Sequence, residues 1–191
     1  SFDGEDDWVD CGSGLNLFGS YTLEIKFKTN YSGSGDSGGT IIGKVSAANG
    51  SNTSWKLWMN NAGDIRWGND EDSNGTGSFG SNGILLNDGI LHDLTIQWDG
   101  QRGIMFVDGQ EVNQSPTGGG LNITDSYVGI GAQNGPNWYW EWSGLIDEIK
   151  ISNVARYDID YNMSDNSHDV LENYLTDNNT LAHYKFNAGT G

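Results

Sequence analysis

Apolar and polar side chains alternate with a period of two along much of this chain. Over residues 21–29, Leu23, Ile25 and Phe27 point one way and Thr22, Glu24, Lys26 and Lys28 the other. Over residues 90–98, His92, Leu94, Ile96 and Trp98 share a face against Asp93, Thr95 and Gln97. Alternation of this kind marks a strand with one buried face. A short turn, Asp99-Gly100-Gln101, then leads into the apolar run GIMFVD at 103–108, which predicts a hairpin. A second hairpin is predicted from 55–60 and 64–67, joined around Asn61-Ala62-Gly63. There Trp55, Leu57, Met59, Ile65 and Trp67 face inward, and Lys56, Trp58 and Arg66 face outward. Further strands are expected at 8–11, 40–45, 127–131, 145–152 and 181–186. Residues 30–39, 69–83, 113–120 and 132–137 read as polar loops. A short helix is expected at 167–175, capped by Ser167 with Asp169 in its first turn.

Composition agrees with many strands joined by turns. Glycine is abundant, with 29 residues among 191, and proline is scarce, with 2. The length suits one domain with one core, spanning residues 1–191. A formal net charge of −17 repels phosphate backbones and anionic lipid, so neither nucleic acid nor a membrane surface is an expected partner. On that charge, the expected ligand is a neutral glycan or cell-surface polysaccharide. Cys11 is the sole cysteine, which excludes an internal disulfide. No apolar stretch is long enough to span a bilayer. The chain does not open with methionine and shows no signal peptide, so we expect a piece of a larger protein, with neighbouring domains among its partners.

Four segments in order resemble the laminin-G-like (concanavalin-A-like) jelly-roll family. Phe2-Asp3-Gly4 with Asp6-Asp7-Trp8-Val9 resembles its "FDG..DYV" opening. The run from Leu91 to Gly100, LHDLTIQWDG, is similar to "WHHVAVTYDG", and Val107-Asp108-Gly109-Gln110 to "YVDGK". The run from Trp142 to Ile151, WSGLIDEIKI, resembles "FNGLIDEVRI", and Val154-Ala155-Arg156 continues it. The resemblance implies an all-β, two-sheet antiparallel β-sandwich with jelly-roll connections. The closing run from Leu181 to Gly191 resembles a segment that usually precedes the family's opening. It belongs either to one register of a tandem array or to a strand completing this same sandwich.

The resemblance also implies chemistry. In related sandwiches a structural calcium ion joins an aspartate near the start to one in the last core strand, and Asp3 and Asp147 match those positions. Parity puts Asp147 with Ile149 and Ile151 on the core side, where its carboxylate needs a cation or a bulge that turns it outward. Asp70-Glu71-Asp72 reads as a solvated loop. Trp142 takes the family's core aromatic position. Trp58, Trp138, Tyr139 and Trp140 are candidates to stack on sugar rings.

Catalysis has no support in the sequence. Laminarinase-type hydrolases of this fold carry Glu-x-Asp-x-x-Glu on one strand, which sets two carboxylates about 5 Å apart. The nearest pair here, Glu141 and Glu148, lies on opposite parities, and His92, His168 and His183 lack metal or triad spacing. His92 matches a family strand histidine and reads as structural. The expectation is a non-catalytic carbohydrate-binding or adhesion module at an extracellular, cell or virion surface. Its rivals are a structural or decorating domain of a phage virion or bacterial surface protein with no sugar ligand, a protein-binding laminin-G role and, last, an enzyme.

Overall fold

The structure is a computed structural model that describes residues 1–31, 39–45, 54–68, 78–116, 121, 124–133, 140–157 and 176–186. Its strands, in chain order, are β1 (Phe2–Asp3), β2 (Val9–Asp10), β3 (Tyr21–Lys28), β4 (Thr40–Lys44), β5 (Trp55–Met59), β6 (Asp64–Gly68), β7 (Ser78–Leu85), β8 (Leu91–Trp98), β9 (Gly103–Val107), β10 (Gln110–Ser115), β11 (Val128–Ile130), β12 (Ser143–Ser152) and β13 (Thr180–Lys185). They form two antiparallel sheets. The seven-stranded sheet runs β1-β12-β3-β8-β9-β10, with β13 also against β12, and the six-stranded sheet runs β2-β11-β4-β5-β6-β7.

The core lies where the alternation placed it. Leu23, Ile25 and Phe27 of β3, Leu94 and Ile96 of β8, and Ile149 and Ile151 of β12 are fully buried. They face Trp55, Leu57 and Met59 of β5 and Ile65 and Trp67 of β6, also fully buried. Each such side chain contributes roughly 1.5–3 kcal/mol by leaving water. That sum drives the two sheets together. A bulge at Ile41 in β4 turns both Ile41 and Ile42 into the core.

The closing strand completes this same sandwich. β13 pairs with β12 from Glu148↔Lys185 to Ser152↔Thr180, and Phe186 packs edge-on against Phe2 of β1 with ring centres 6.2 Å apart. The loops expected at 69–83 and 113–120 are in part strand, since β7 begins at Ser78 and β10 runs to Ser115. The expected helix at 167–175 lies outside the described residues, as does the Asp70-Glu71-Asp72 cluster.

One face of the seven-stranded sheet is the core, and its other face is also covered. Glu24 and Lys150 point away from the core yet are 3 % and 1 % exposed, with Lys150 Nζ 3.1 Å from Glu24 Oε2. Residues 154–157 lie over them. The Tyr157 hydroxyl donates to Glu24 Oε1 at 2.6 Å, and Thr22 Oγ1 donates to the Val154 carbonyl at 2.8 Å. Arg156 anchors this strap by two hydrogen bonds to Asp177, at 2.8 and 3.1 Å. On the outer face of the six-stranded sheet Thr40 and Lys56 are likewise buried, and Trp58 and Arg66 are partly exposed.

Candidate carbohydrate-binding site

On β5 the three inward residues are Trp55, Leu57 and Met59, so Lys56 and Trp58 must point outward. Register extends this row across the sheet. Thr40 of β4 sits opposite Trp58, Trp58 opposite Arg66 of β6, and Arg66 opposite Gly80 of β7. Beyond β4 the row continues into Trp140, whose carbonyl accepts the Thr40 amide at 2.7 Å. One level along the strands, Gly43, Lys56 and Gly68 form a second row.

The two rows meet at Lys56. Its ammonium lies 4.5 Å from the ring centre of Trp58 and 4.0 Å from that of Trp140, so one cation bridges two indoles from separate chain segments. Lys56 is buried, with 1 % exposure, while Trp58 and Trp140 are both half-exposed. Trp140 has φ of 62°, the left-handed region that bulky side chains avoid. A residue held there stores on the order of 1–3 kcal/mol of strain, which concentrates at binding sites. The Thr40 hydroxyl, between the two tryptophans on β4, is buried and has no hydrogen-bond partner among the described residues.

Arg66 lies beside Trp58 with its side chain 43 % exposed, held by an ion pair from Nη2 to Asp64 Oδ2 at 2.7 Å. Asp64 is itself fixed by the Ser81 hydroxyl at 2.6 Å. Gly80 leaves room for the guanidinium arm, since a Cβ there would come within 2.7 Å of Arg66 Cδ. Past Trp140, the Glu141 carboxyl is pushed above its ordinary range by burial and by the charges of Asp6, Asp3 and Glu5. The site therefore has an aromatic, cationic centre and an acidic flank.

Of the expected sugar contacts, Trp58 and Trp140 come together, and Trp138 and Tyr139 lie outside the described residues. Lys56 and Arg66 were legible as outward-facing but not as site residues. Their signal was the shared parity with Trp58.

The expected calcium pair does not converge. Asp3 stands level with Ser143 in the β1–β12 register, four residues and on the order of 13 Å along the strand from Asp147. Calcium gathers six to eight oxygens at bonding distance around one point, and the two residues stand at different levels of β12. Asp3 Oδ1 instead accepts the Glu5 amide at 2.9 Å in a local turn. Asp147 falls on a bulge between Ile146 and Glu148, which places Ile146 in the core and leaves Asp147 half-exposed. Parity alone had set Asp147 facing the core, and the bulge shifts that phase by one residue. Among the described residues no group of three or more His, Cys, Asp or Glu is placed to hold a metal ion.

Glu141 and Glu148 serve separate surroundings. Glu148 bonds His183 across β12 and β13, and Glu141 belongs to the acidic flank. No helix among the described residues is long and apolar enough to cross a membrane.

A two-sheet antiparallel sandwich of this topology defines a lectin-like domain. The chain belongs to the concanavalin A-like lectin/glucanases superfamily, whose Laminin_G_3 family profile matches residues 3–158. No curated protein sequence matches the chain. Among solved structures it is similar to the NanB sialidase of Streptococcus pneumoniae, at 24 % identity and a TM-score of 0.60 over 83 % of this chain. It spans only 26 % of that enzyme. It is similar to the CBM40 of Ruminococcus gnavus IT-sialidase bound to α2,6-sialyllactose, at 12 % identity and a TM-score of 0.57, over 74 % of this chain and 80 % of that one. It also resembles a putative carbohydrate binding protein from Bacteroides ovatus, at 16 % identity and a TM-score of 0.60, over 93 % of this chain and 48 % of that one. At these identities what is shared is the fold. One of the similar chains matched over most of its own length is a carbohydrate-binding module.

The expectation of a neutral glycan is corrected by these relatives. The CBM40 structure holds sialyllactose, whose sialic acid carries a carboxylate. The charge argument failed because −17 is a sum over the whole chain, whereas a ligand meets the local field. On the outer side of the six-stranded sheet the local charges include Lys56 and the Arg66–Asp64 pair.

Proposed function

We propose that this domain is an extracellular carbohydrate-binding module that takes an acidic, sialic-acid-type sugar on the outer face of its six-stranded sheet. The observation that carries the reading is the convergence of Trp58 and Trp140 on one buried ammonium, with Arg66 beside Trp58. A pyranose presents an apolar face of C–H groups that suits a half-exposed indole. A guanidinium offers five donors in a planar fork suited to a carboxylate, and the pairing with Asp64 holds that fork in place. Binding so arranged uses no ion at Asp3 and Asp147. The similarity of the fold to sialidase-associated modules supports the choice of sugar.

Titration calorimetry with 3′-sialyllactose, 6′-sialyllactose and lactose tests the reading. The wild-type domain is expected to bind at least one sialyllactose more tightly than lactose. Trp58→Ala and Arg66→Ala are each expected to weaken it about tenfold, equivalent to ~1.4 kcal/mol. Equal binding of lactose would remove the acidic sugar from the reading. Absence of binding across a broad glycan array would favour the structural or decorating role.

A further inference from the structure

We infer that Lys56 is the positioning residue of the glycan platform: its ammonium sets the gap and the tilt of Trp58 and Trp140 without touching the ligand. The inference rests on the reading of this face as the sugar site, but its geometry stands apart from any ligand. Trp58 is fixed to β5 as a strand residue. Trp140 lies outside the strands, precedes β12 by three residues, and carries φ of 62°. Its carbonyl accepts the Thr40 amide. That contact fixes the main chain and leaves the indole to be oriented by what it rests on. Its ring centre lies 4.0 Å from Lys56 Nζ.

Lys56 is suited to this task for three reasons. At 1 % exposure it is too deep to meet a sugar, and its ammonium lies against both rings. Its four-carbon stem starts from the row of Gly43 and Gly68, and the head reaches back to the row of Trp58. Gly43 permits this passage, because a Cβ there would press to 3.3 Å from Lys56 Cγ. Finally, attraction between a cation and an indole face strengthens as water is removed, which is the setting here. A neutral side chain of equal length would fill the same space and supply no such pull. The strained backbone of Trp140 would then be free to relax and carry its ring away from Trp58.

The test compares the wild-type domain with Lys56→Met, which keeps the length of the stem, and Lys56→Arg, which keeps the charge. Two measurements are made: the indole N–H signals in a proton–nitrogen correlation spectrum of the free protein, and the affinity for 3′- and 6′-sialyllactose. Lys56→Met is expected to shift or broaden the signals of Trp58 and Trp140, to leave those of the core residues Trp55, Trp67 and Trp142 in place, and to weaken binding about tenfold. Lys56→Arg is expected to restore both readouts toward wild type. Unmoved Trp58 and Trp140 signals in Lys56→Met would overturn the inference. So would changes spread over all the indoles, which would make Lys56 a general structural residue. If the wild-type domain binds neither sugar while Lys56→Met still displaces Trp58 and Trp140, the glycan reading falls and the positioning role of Lys56 stands.

Discussion

His92 and Asp108 are bound across the β8–β9 hairpin, with His92 Nδ1 2.8 Å from Asp108 Oδ2. The other ring nitrogen, Nε2, lies 3.1 Å from Asp88 Oδ1. Both partners are carboxylates, which only accept, so a doubly protonated imidazolium satisfies both contacts at once. The ring also rests on Phe27, with centres 6.0 Å apart. Burial opposes charging of His92, but the hydrogen bonds and charges of Asp108 and Asp88 outweigh it and raise the pKa above its ordinary 6.5.

A raised folded pKa makes this lock strongest in mild acid. Its stabilisation is complete below the unfolded-state pKa near 6.5 and is lost as pH rises through the folded value. The melting temperature of wild type is therefore expected to fall between about pH 6 and pH 8 by more than that of Asp108→Asn. Parallel melting curves for the two proteins would refute the assignment.

Glu24 and Lys150 form a buried ion pair beneath the strap at 154–157, and the two positions can be uncoupled by mutation. Glu24→Leu alone removes a carboxylate from Lys150, Arg156 and Tyr157 and is expected to cost about 3–5 kcal/mol. Glu24→Leu with Lys150→Met removes the stranded charge too and should recover a large part of that loss. Denaturant unfolding measures both. A double variant no more stable than the single one would show that the pair's worth lies elsewhere.

Separation of Asp3 from Asp147 has its own consequence. Asp147→Asn is expected to alter the melting temperature by the same amount in calcium and in EDTA, because an ion bound only by the native state raises stability only where its ligands meet. A calcium-dependent shift that disappears in Asp147→Asn would place an ion at Asp147 after all.

Much of the fold was legible in the chain. The alternation in β3, β8, β5 and β6 predicted both their existence and their buried faces, and Trp58 was correctly set outward. Strands β7 (SFGSNGIL) and β10 (QEVNQS) were not found as such. Both are edge strands, with few apolar side chains to mark a buried face. Two features that bear on the expected calcium pair were also hidden. The bulge that turns Asp147 outward inserts a residue that no period-two pattern announces. The distance between Asp3 and Asp147 depends on where β1 pairs along β12.

By itself, then, the sequence determined which side of each strand enters the core, since that choice is made locally by alternating apolar and polar side chains. Tertiary structure decided which outward residues become neighbours. Trp58 and Trp140 are 82 positions apart and meet over Lys56 because β4 and β5 pair with Thr40 opposite Trp58 and the Trp140 carbonyl receives the Thr40 amide. It also brought Lys56 and Arg66 together on one sheet face of a chain whose charge sum is strongly negative.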